Sequence, residues 1–307
     1  MNSYPVRSAR AARVPRDRRD RAARREEAGR YIYGVVVCDR VVGLGWMGTD
    51  GCQVYTLPHR DISAIVHSCP SGPYQSADSR VVEGRVKAHQ GVLDIARRKF
   101  GTVVPADFDT IVRPGGVGIS PEQAVTDWLA CDYERLQALI KKIEGKDEYG
   151  VEVSYDPEML VKNVSESAEV KVIRSRIARG SEGTAYLCRK KLEAVIKKDT
   201  KRLTDAWARD FYDRIRKHAD EIAVEKTRQL KDGRVMLLNL FCLVSRKKVM
   251  ELVKELEAID DIDGFAVCLT GPRPPDSFVA GFRSPRPGSL LQPACEGHVR
   301  LLICRGE

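Results

Sequence analysis

The hydrophobic positions in the first part of the chain predict a small sheet and one amphipathic helix. Short runs rich in β-branched and aromatic residues are typical of strands, and they occur at residues 31–37, 54–57 and 62–66. Apolar side chains then recur at spacings of three and four, which indicates one buried helical stripe, at Val82, Val86, His89, Leu93, Ala96 and Phe100. We expect His89 to be a hydrogen-bonded core residue on this stripe, and Gly101 to end the helix.

The second part predicts a strand, a long helical region, a strand, a short helix and a last strand. A Gly-rich linker at 113–120 precedes a helix that Ser120 caps and that buries Val125, Leu129, Leu136, Ile140 and Ile143. The later elements are a strand at 149–155, a helical region at 163–231 broken near Gly180 and Gly183 with His218 and Ile222 on its apolar stripe, a fully buried strand at 234–244, a short helix capped by Ser245 and a strand at 265–269. This order resembles a ferredoxin-like sandwich with an enlarged first helical segment.

The expected fold class is therefore α+β with two domains. Residues 30–118 form an N-terminal mixed α+β domain in this prediction, and residues 119–280 form a C-terminal modified ferredoxin-like α/β sandwich with a long helical insertion. Residues 1–29 are expected to be a disordered Arg-rich tail, because they contain too few large hydrophobic residues to build a core. Residues 281–307 are expected to be a flexible C-terminal tail.

The net charge of +9 comes mostly from the N-terminal tail. Residues 1–30 contain ten arginines and four acidic residues, whereas the remaining 277 residues carry 42 basic and 39 acidic side chains. Such a tail is either a dispensable extension or a segment that contacts nucleic acid or a membrane surface. The longest strongly apolar run, at 235–244, is interrupted by Asn239 and falls far short of the ~20 residues of a membrane span. We therefore expect no membrane partner.

Candidate catalytic groups are few. The nine cysteines are scattered without a C-x-x-C pair, which indicates a reduced, cytosolic protein without structural zinc. The sequence GLGWMG at 43–48 matches a dinucleotide fingerprint, but a turn and a strand follow it where a helix N-terminus is needed. We expect a flexible glycine-rich loop there, no cofactor and no enzymatic activity. A Cys–His pair assembled only in space is the alternative that the sequence leaves open.

The most distinctive segment is CLTGPRPPDSFV at Cys268–Val279. Pro272, Pro274 and Pro275 lack a backbone donor, so we expect the hydrogen-bond ladder of the last strand to stop near Gly271. Gly271 and Arg273 each precede a proline and are expected to be extended. Two interpretations follow: a strand terminator that packs Phe278 back on the domain, or a stiff arm that contacts a partner.

Several motifs, in order, carry a family resemblance. They are YIYGVV, HQGVLDIARRKFGTVVPADFDTIV, GVEV, GTAYLCRKK, LLNLFCLVSR and LTGPRPPDSFV. Over residues 31–279 they resemble the gas-vesicle accessory proteins of the GvpL/GvpF family. That family typically has T-G-P-W-P-P-Y-S-F-V at the closing motif and Arg-Phe-Gly after TVVP. Here Arg273 and Asp276 replace the two aromatic residues, and Asp107-Phe108-Asp109 replaces Arg-Phe-Gly, so a partner that uses these side chains is expected to be bound weakly or differently.

The resemblance implies a non-enzymatic assembly factor or minor structural component, located at gas vesicles in the cytoplasm. The implied partners are the major gas-vesicle shell protein, whose aggregation it would limit while assisting vesicle nucleation, and other gas-vesicle accessory proteins. The candidate partner-contact residues are those of the closing motif: Thr270, Gly271, Pro272, Arg273, Pro274, Pro275, Asp276 and Phe278. The alternative is a nucleic-acid-binding protein that uses the Arg-rich tail, which is less favoured because no predicted strand carries an aromatic-rich recognition motif.

Overall fold

The computed structural model describes residues 29–70, 72, 74, 76–114 and 118–279. The predicted N-terminal tail, apart from Gly29, and the predicted C-terminal tail at 281–307 lie outside the described residues. Within them, the chain forms ten strands in two antiparallel sheets, together with seven α-helices. The structure therefore confirms the α+β class.

The first sheet has six strands in the spatial order β2-β3-β4-β1-β5, with β6 also paired to β1. Its strands are β1 (Gly29–Val37), β2 (Gly43–Trp46), β3 (Gln53–His59), β4 (Ile62–Cys69), β5 (Val103–Pro105) and β6 (Ile111–Val112). The predicted hairpin is present as β3 and β4, whose register pairs Tyr55 with Val66 and His59 with Ile62. Strand β1 is central and is buried along nearly its whole length.

Helices cover both faces of this sheet. One face packs on α1 (Ser79–Phe100), which begins at the Asp78 cap and ends at Gly101 with a φ of 82°. The other face packs on α2 (Pro121–Cys131) and α3 (Tyr133–Ile143). The sequence predicts these two as one helix, but the chain breaks at Asp132. The inward residues are nevertheless buried as predicted: Val125, Leu129, Leu136, Ile140 and Ile143.

The packing of α2 and α3 bears on where the boundary between the two predicted domains lies. Both helices share a hydrophobic core with the first sheet, including Ile32, Val35 and Val66. A boundary at residue 118 would separate these helices from the surface that they cover. We therefore propose that the boundary lies at Gly145, which has a φ of 69° and stands between α3 and the next strand.

The glycine-rich fingerprint at 43–48 was wrongly expected to be a flexible loop. Gly43–Trp46 forms the edge strand β2, which pairs with β3 through an irregular register between Gly43 and Gly45. Gly45 has a φ of 107°, a conformation that favours glycine. A single 3-10 turn at Thr49–Gly51 and then β3 follow, so the α-helix N-terminus that binds the pyrophosphate in a dinucleotide fingerprint is missing at this segment.

The second sheet has the spatial order β10-β7-β9-β8, and all of its neighbours are antiparallel. Its strands are β7 (Lys146–Tyr155), β8 (Glu221–Val224), β9 (Val235–Ser245) and β10 (Phe265–Arg273). Three helices connect β7 to β8, namely α4 (Pro157–Ser165), α5 (Ala168–Arg179) and α6 (Glu182–Arg216); α7 (Val249–Asp260) connects β9 to β10. The chain order βαββαβ with the first strand beside the fourth is the ferredoxin-like topology that the sequence predicts.

Three local predictions in this part are wrong. The helical region ends at Arg216 and comprises three helices, so His218 lies in the following turn and Ile222 in β8. Strand β8 was missed because its four residues lie between charged segments and are too few to show a period. The cap of α7 is Lys248 instead of Ser245, and it makes no side-chain capping bond.

His89 belongs to a buried cluster of aromatic and histidine side chains between α1 and the first sheet. Its Nδ1 atom is 2.9 Å from the hydroxyl of Tyr31, and the Nε2 atom of His67 is 2.9 Å from the hydroxyl of Tyr74. The rings of Tyr31 and His67 stack at 4.9 Å. Burial is the main cause that lowers the pKa of both histidines to about 4. They are therefore neutral core residues at physiological pH.

Asp109 closes this cluster from an unusual backbone conformation. Its φ is 65°, and it occupies the position at which the GvpL/GvpF pattern has glycine. Aspartate tolerates this left-handed region better than most residues. The backbone N–H of Asp109 donates to the hydroxyl of Tyr31 at 3.0 Å, and its carboxylate accepts from the N–H of Tyr74 at 3.1 Å. These bonds help to explain why a residue other than glycine is accommodated.

Acid should destabilise the protein through the two buried histidines. Between pH 6.5 and pH 4 the unfolded chain binds more protons than the folded one. The contribution of the two histidines to the free energy of unfolding is therefore fully present above pH 6.5 and is lost as the pH falls through about 4. We expect the free energy of unfolding to decrease by as much as ~3 kcal/mol per histidine, measured by urea unfolding across this range. His67→Gln/His89→Gln should flatten the pH dependence; an unchanged slope in that variant would contradict the assignment.

Candidate functional site

The closing motif continues the sheet further than the sequence predicts. Strand β10 extends to Arg273, which pairs with Glu148 after a register shift that follows Thr270. Gly271 occupies the shift with a φ of 118°, and a Cβ there would lie 2.8 Å from the carbonyl oxygen of Glu148. Two predictions are therefore wrong: the ladder does not stop near Gly271, and Gly271 does not have the ordinary extended conformation. A bulge lets the chain include Pro272, which donates no ladder bond, and then resume pairing.

After Arg273 the chain turns back onto the protein as a segment that we call the strap, Pro274–Val279. Pro274, Pro275, Phe278 and Val279 are buried. Val279 packs in the same hydrophobic core as α2, α3 and the first sheet, although β10 belongs to the second sheet. The Lys142 side chain at the end of α3 donates to the Phe278 carbonyl oxygen at 3.0 Å. The segment thus crosses from one sheet to the core of the other and does not project as a stiff arm.

Glu148 on β7 anchors the strap. This carboxylate is buried, lies 3.0 Å from Nε of Arg273 and accepts a 2.8 Å hydrogen bond from the backbone N–H of Ser277. The guanidinium of Arg273 also lies 4.5 Å from the centre of the Phe241 ring, which is a cation–π geometry. Burial raises the pKa of Glu148, and the positive charge of Arg273 opposes that rise.

Asp147, the neighbour of Glu148, joins the two sheets on the opposite face of β7, because successive strand residues point to opposite sides. Its buried carboxylate accepts hydrogen bonds from Arg97 at the end of α1, at 3.2 and 3.3 Å, and from Arg246 after β9, at 3.0 and 3.2 Å. Arg246 also donates to the Gly101 carbonyl oxygen at 2.5 Å. Two adjacent residues therefore connect the first sheet, the second sheet and the strap.

The predicted contact residues divide into exposed and buried groups. Gly271, Pro272 and Asp276 are exposed, while Thr270 and Arg273 are partly exposed. Pro274, Pro275 and Phe278 are buried, so we propose that their role is to hold the strap and that partner contacts are made by the exposed members. Sequence analysis missed Glu148, because an acidic residue in an alternating strand gives no signal that it is buried.

The outer edge of β10 adds Leu269, which is not among the predicted contact residues. The N–H of Val267 donates to the Asp260 carboxylate of α7 at 2.7 Å, so it points away from β7. Backbone groups of an antiparallel strand alternate in direction with a period of two, and those of Leu269 therefore also point outward. The Leu269 side chain is 37% exposed, so this edge presents both apolar surface and backbone polar groups.

The described residues also bear on metal binding and on membrane insertion. That part of the chain contains no group of three or more His, Cys, Asp or Glu side chains placed to hold a metal ion. Over the same residues, every helix is too short or too polar to cross a membrane.

Residues 29–280 match the family described as "Gas vesicle synthesis protein GvpL/GvpF". The chain belongs to this family. It is 28% identical over 260 residues to gas vesicle protein L2 of Halobacterium salinarum, covering 81% of this chain and 91% of the relative. It is also 23% identical to gas vesicle protein L1 of the same organism, covering 81% and 90%. The sequence resemblance over residues 31–279 is thus confirmed.

Solved structures show the same fold. The crystal structure of gas vesicle protein GvpF from Anabaena sp. PCC7120 superposes with a TM-score of 0.63 at 19% identity, covering 82% of this chain and 98% of that one. GvpF from Microcystis aeruginosa gives a TM-score of 0.58 at 19% identity, covering 82% and 99%. The α+β architecture is therefore shared across the family at low sequence identity.

The strap should contribute strongly to stability. Phe278→Ala removes a buried ring of the strap, and we expect the free energy of unfolding to fall by about 3–4 kcal/mol. Val161→Ala is the control, because Val161 is 64% exposed and its truncation should change stability by less than about 0.5 kcal/mol. Equal effects of the two substitutions in urea unfolding would show that the strap is not a packed part of the core.

Proposed function

We propose that this member of the GvpL/GvpF family is an accessory or minor structural protein that binds the major gas-vesicle shell protein, limits its aggregation and assists vesicle nucleation. Family membership over residues 29–280 is the observation that carries the proposal. In this proposal the protein acts in the cytoplasm, at forming gas vesicles, without catalysis and together with other gas-vesicle accessory proteins.

We further propose that the shell protein binds along the outer edge of β10. An aggregation-prone partner with unpaired strands is protected when its backbone groups pair with an exposed sheet edge. Leu269 supplies an apolar contact on that edge, and the exposed residues Gly271, Pro272 and Asp276 continue the same surface. The bulge and the strap limit the length of the edge, so a bound strand would pair over only a few residues.

The nucleic-acid alternative receives less support from the second sheet. Ferredoxin-like RNA-binding domains stack bases on aromatic side chains of the open sheet face. Here Phe241 on that face is covered by Arg273, and the polar side chains beside it are already paired. Arg228 binds the Glu152 carboxylate at 2.9 Å, and Arg234 donates to the Ser154 hydroxyl at 3.2 Å. The Arg-rich tail, on which this alternative rests, lies outside the described residues.

Co-expression with the shell protein tests the function first. The soluble fraction of the shell protein after centrifugation should increase when the wild-type chain is present, and the two should co-purify. If the shell protein aggregates equally with and without the chain, the proposed function is wrong.

A pair of edge substitutions then tests the site. Leu269→Lys places a charge on the outer edge of β10, and we expect roughly tenfold weaker binding to the shell protein, because an apolar contact and strand pairing are lost. Val224→Lys is the control on the opposite edge strand, β8, where Val224 is 66% exposed. If both variants bind like the wild type, the β10 edge is not the site, whereas the functional proposal stands.

A further inference from the structure

Two segments of the folded chain carry net charges of opposite sign. We define the basic arm as residues 168–202, which comprise α5 and the first half of α6. The arm contains eleven basic and four acidic residues, and all eleven basic side chains are exposed. Residues 249–263, which contain α7, carry six acidic residues and one lysine. The net charge of the folded chain is small, but these two segments carry opposite net charges.

The basic arm is packed against the rest of the protein. Its buried side chains, Val170, Ile173, Ala185 and Val195, lie between α5 and α6 or against the second core. α5 packs chiefly on α6, with a smaller contact to α4. The charged and apolar residues that face outward are thus held in fixed positions.

One stripe of α6 in the arm combines charge with apolar surface. Residues at spacings of four and three lie on one helix face, and here they are Leu187, Lys191, Ala194, Lys198 and Lys201, all exposed. The stripe spans about 21 Å at the helical rise per residue. The stripe thus presents three lysines and one exposed leucine on the same side of the helix.

The region of α7 offers the complementary surface, which we call the acidic surface. Its exposed carboxylates are Glu251, Glu257, Asp260, Asp261 and Asp263, and Met250 and Ile262 are exposed among them, at 65% and 37%. Met250, Glu257 and Asp261, at spacings of seven and four, lie on one side of this region, and Lys254 is the one exposed basic residue within it. Opposite net charge and an exposed apolar side chain therefore coincide on this surface.

The two surfaces do not meet within one chain. Glu255 of α7 binds Arg214 at 2.5 Å, and Glu251 and Glu255 lie within 3.8 Å of His218. Arg214 and His218 both follow the arm in sequence, and Arg214 lies about 18 Å beyond Arg202 along the same continuous helix. The arm therefore projects past the part of α6 that α7 covers.

We propose that the basic arm of one copy binds the acidic surface of a second copy. The contact joins two different surfaces, so it is head-to-tail, and it extends into open chains unless the rotation between copies closes a ring. Self-association of this kind does not require shell-protein binding, although Asp260 of the acidic surface borders the β10 edge through its bond to the Val267 N–H.

Sedimentation velocity of the full chain tests the proposal. We expect larger species as protein concentration rises, and their dissociation as salt rises from about 50 mM to about 500 mM, because exposed charges are screened. Lys191→Glu/Lys198→Glu on the arm, or Glu257→Lys/Asp261→Lys on the acidic surface, should each weaken association at least about tenfold. Arg80→Glu/Lys141→Glu makes the same charge change as the arm variant on other exposed positions and should associate like the wild type.

Mixing the two reversed variants gives the sharpest result. Each variant alone places substituted residues opposite side chains of the same charge and should associate weakly, whereas in the mixture the unsubstituted arm of one variant meets the unsubstituted acidic surface of the other, so association should return. A wild-type chain that stays monomeric at low salt, or an arm variant that associates unchanged, overturns the proposal. So does an arm that binds a single-stranded RNA probe, loses that binding in the Lys191→Glu/Lys198→Glu variant and supports no self-association, because the arm is then a nucleic-acid surface.

Discussion

Two adjacent buried carboxylates on β7 are the constraint on which the rest of the structure depends. Asp147 accepts hydrogen bonds from Arg97 and Arg246, and Glu148 pairs with Arg273 and Ser277. A buried charge is costly unless it is paired, and removing one partner typically costs about 3–5 kcal/mol. These two residues therefore fix the first helix, the loop after β9 and the strap relative to a single strand.

The strap is the structural role of the end of the closing motif. The sheet bond at Arg273 and the buried Phe278 and Val279 bring the end of the described chain from the second sheet into the first core. Arg273 occupies the tryptophan position of the family motif, and its planar guanidinium lies over the Phe241 ring. The exposed edge of β10 lies directly beside this anchored segment.

Sequence analysis predicts what periodicity and local chemistry determine. The His89 stripe, the Ser120 cap and the long apolar strand β9 each follow from a repeat or a capping residue, and all are present. The short strand β8 and the break at Asp132 depend on tertiary packing that overrides weak local preference. The pairing of Glu148 with Arg273, 125 positions apart, leaves no local signal in either segment. The contact residues named from the motif stay a prediction, because exposure alone does not identify a partner.

Coupling between the two cores tests this account most directly. The chain has three tryptophans. Trp128 packs in the core of the first sheet, and Trp207 packs against the core of the second. In a Trp46→Phe background, replacing either Trp128 or Trp207 by Phe leaves the other as the single fluorescent reporter. In urea the two fluorescence signals should change at one midpoint, since the carboxylate pair and the strap join the cores. Asp147→Asn/Glu148→Gln should separate the two midpoints. Separate midpoints in the unsubstituted background, or coincident ones in the variant, would contradict the central role of Asp147 and Glu148.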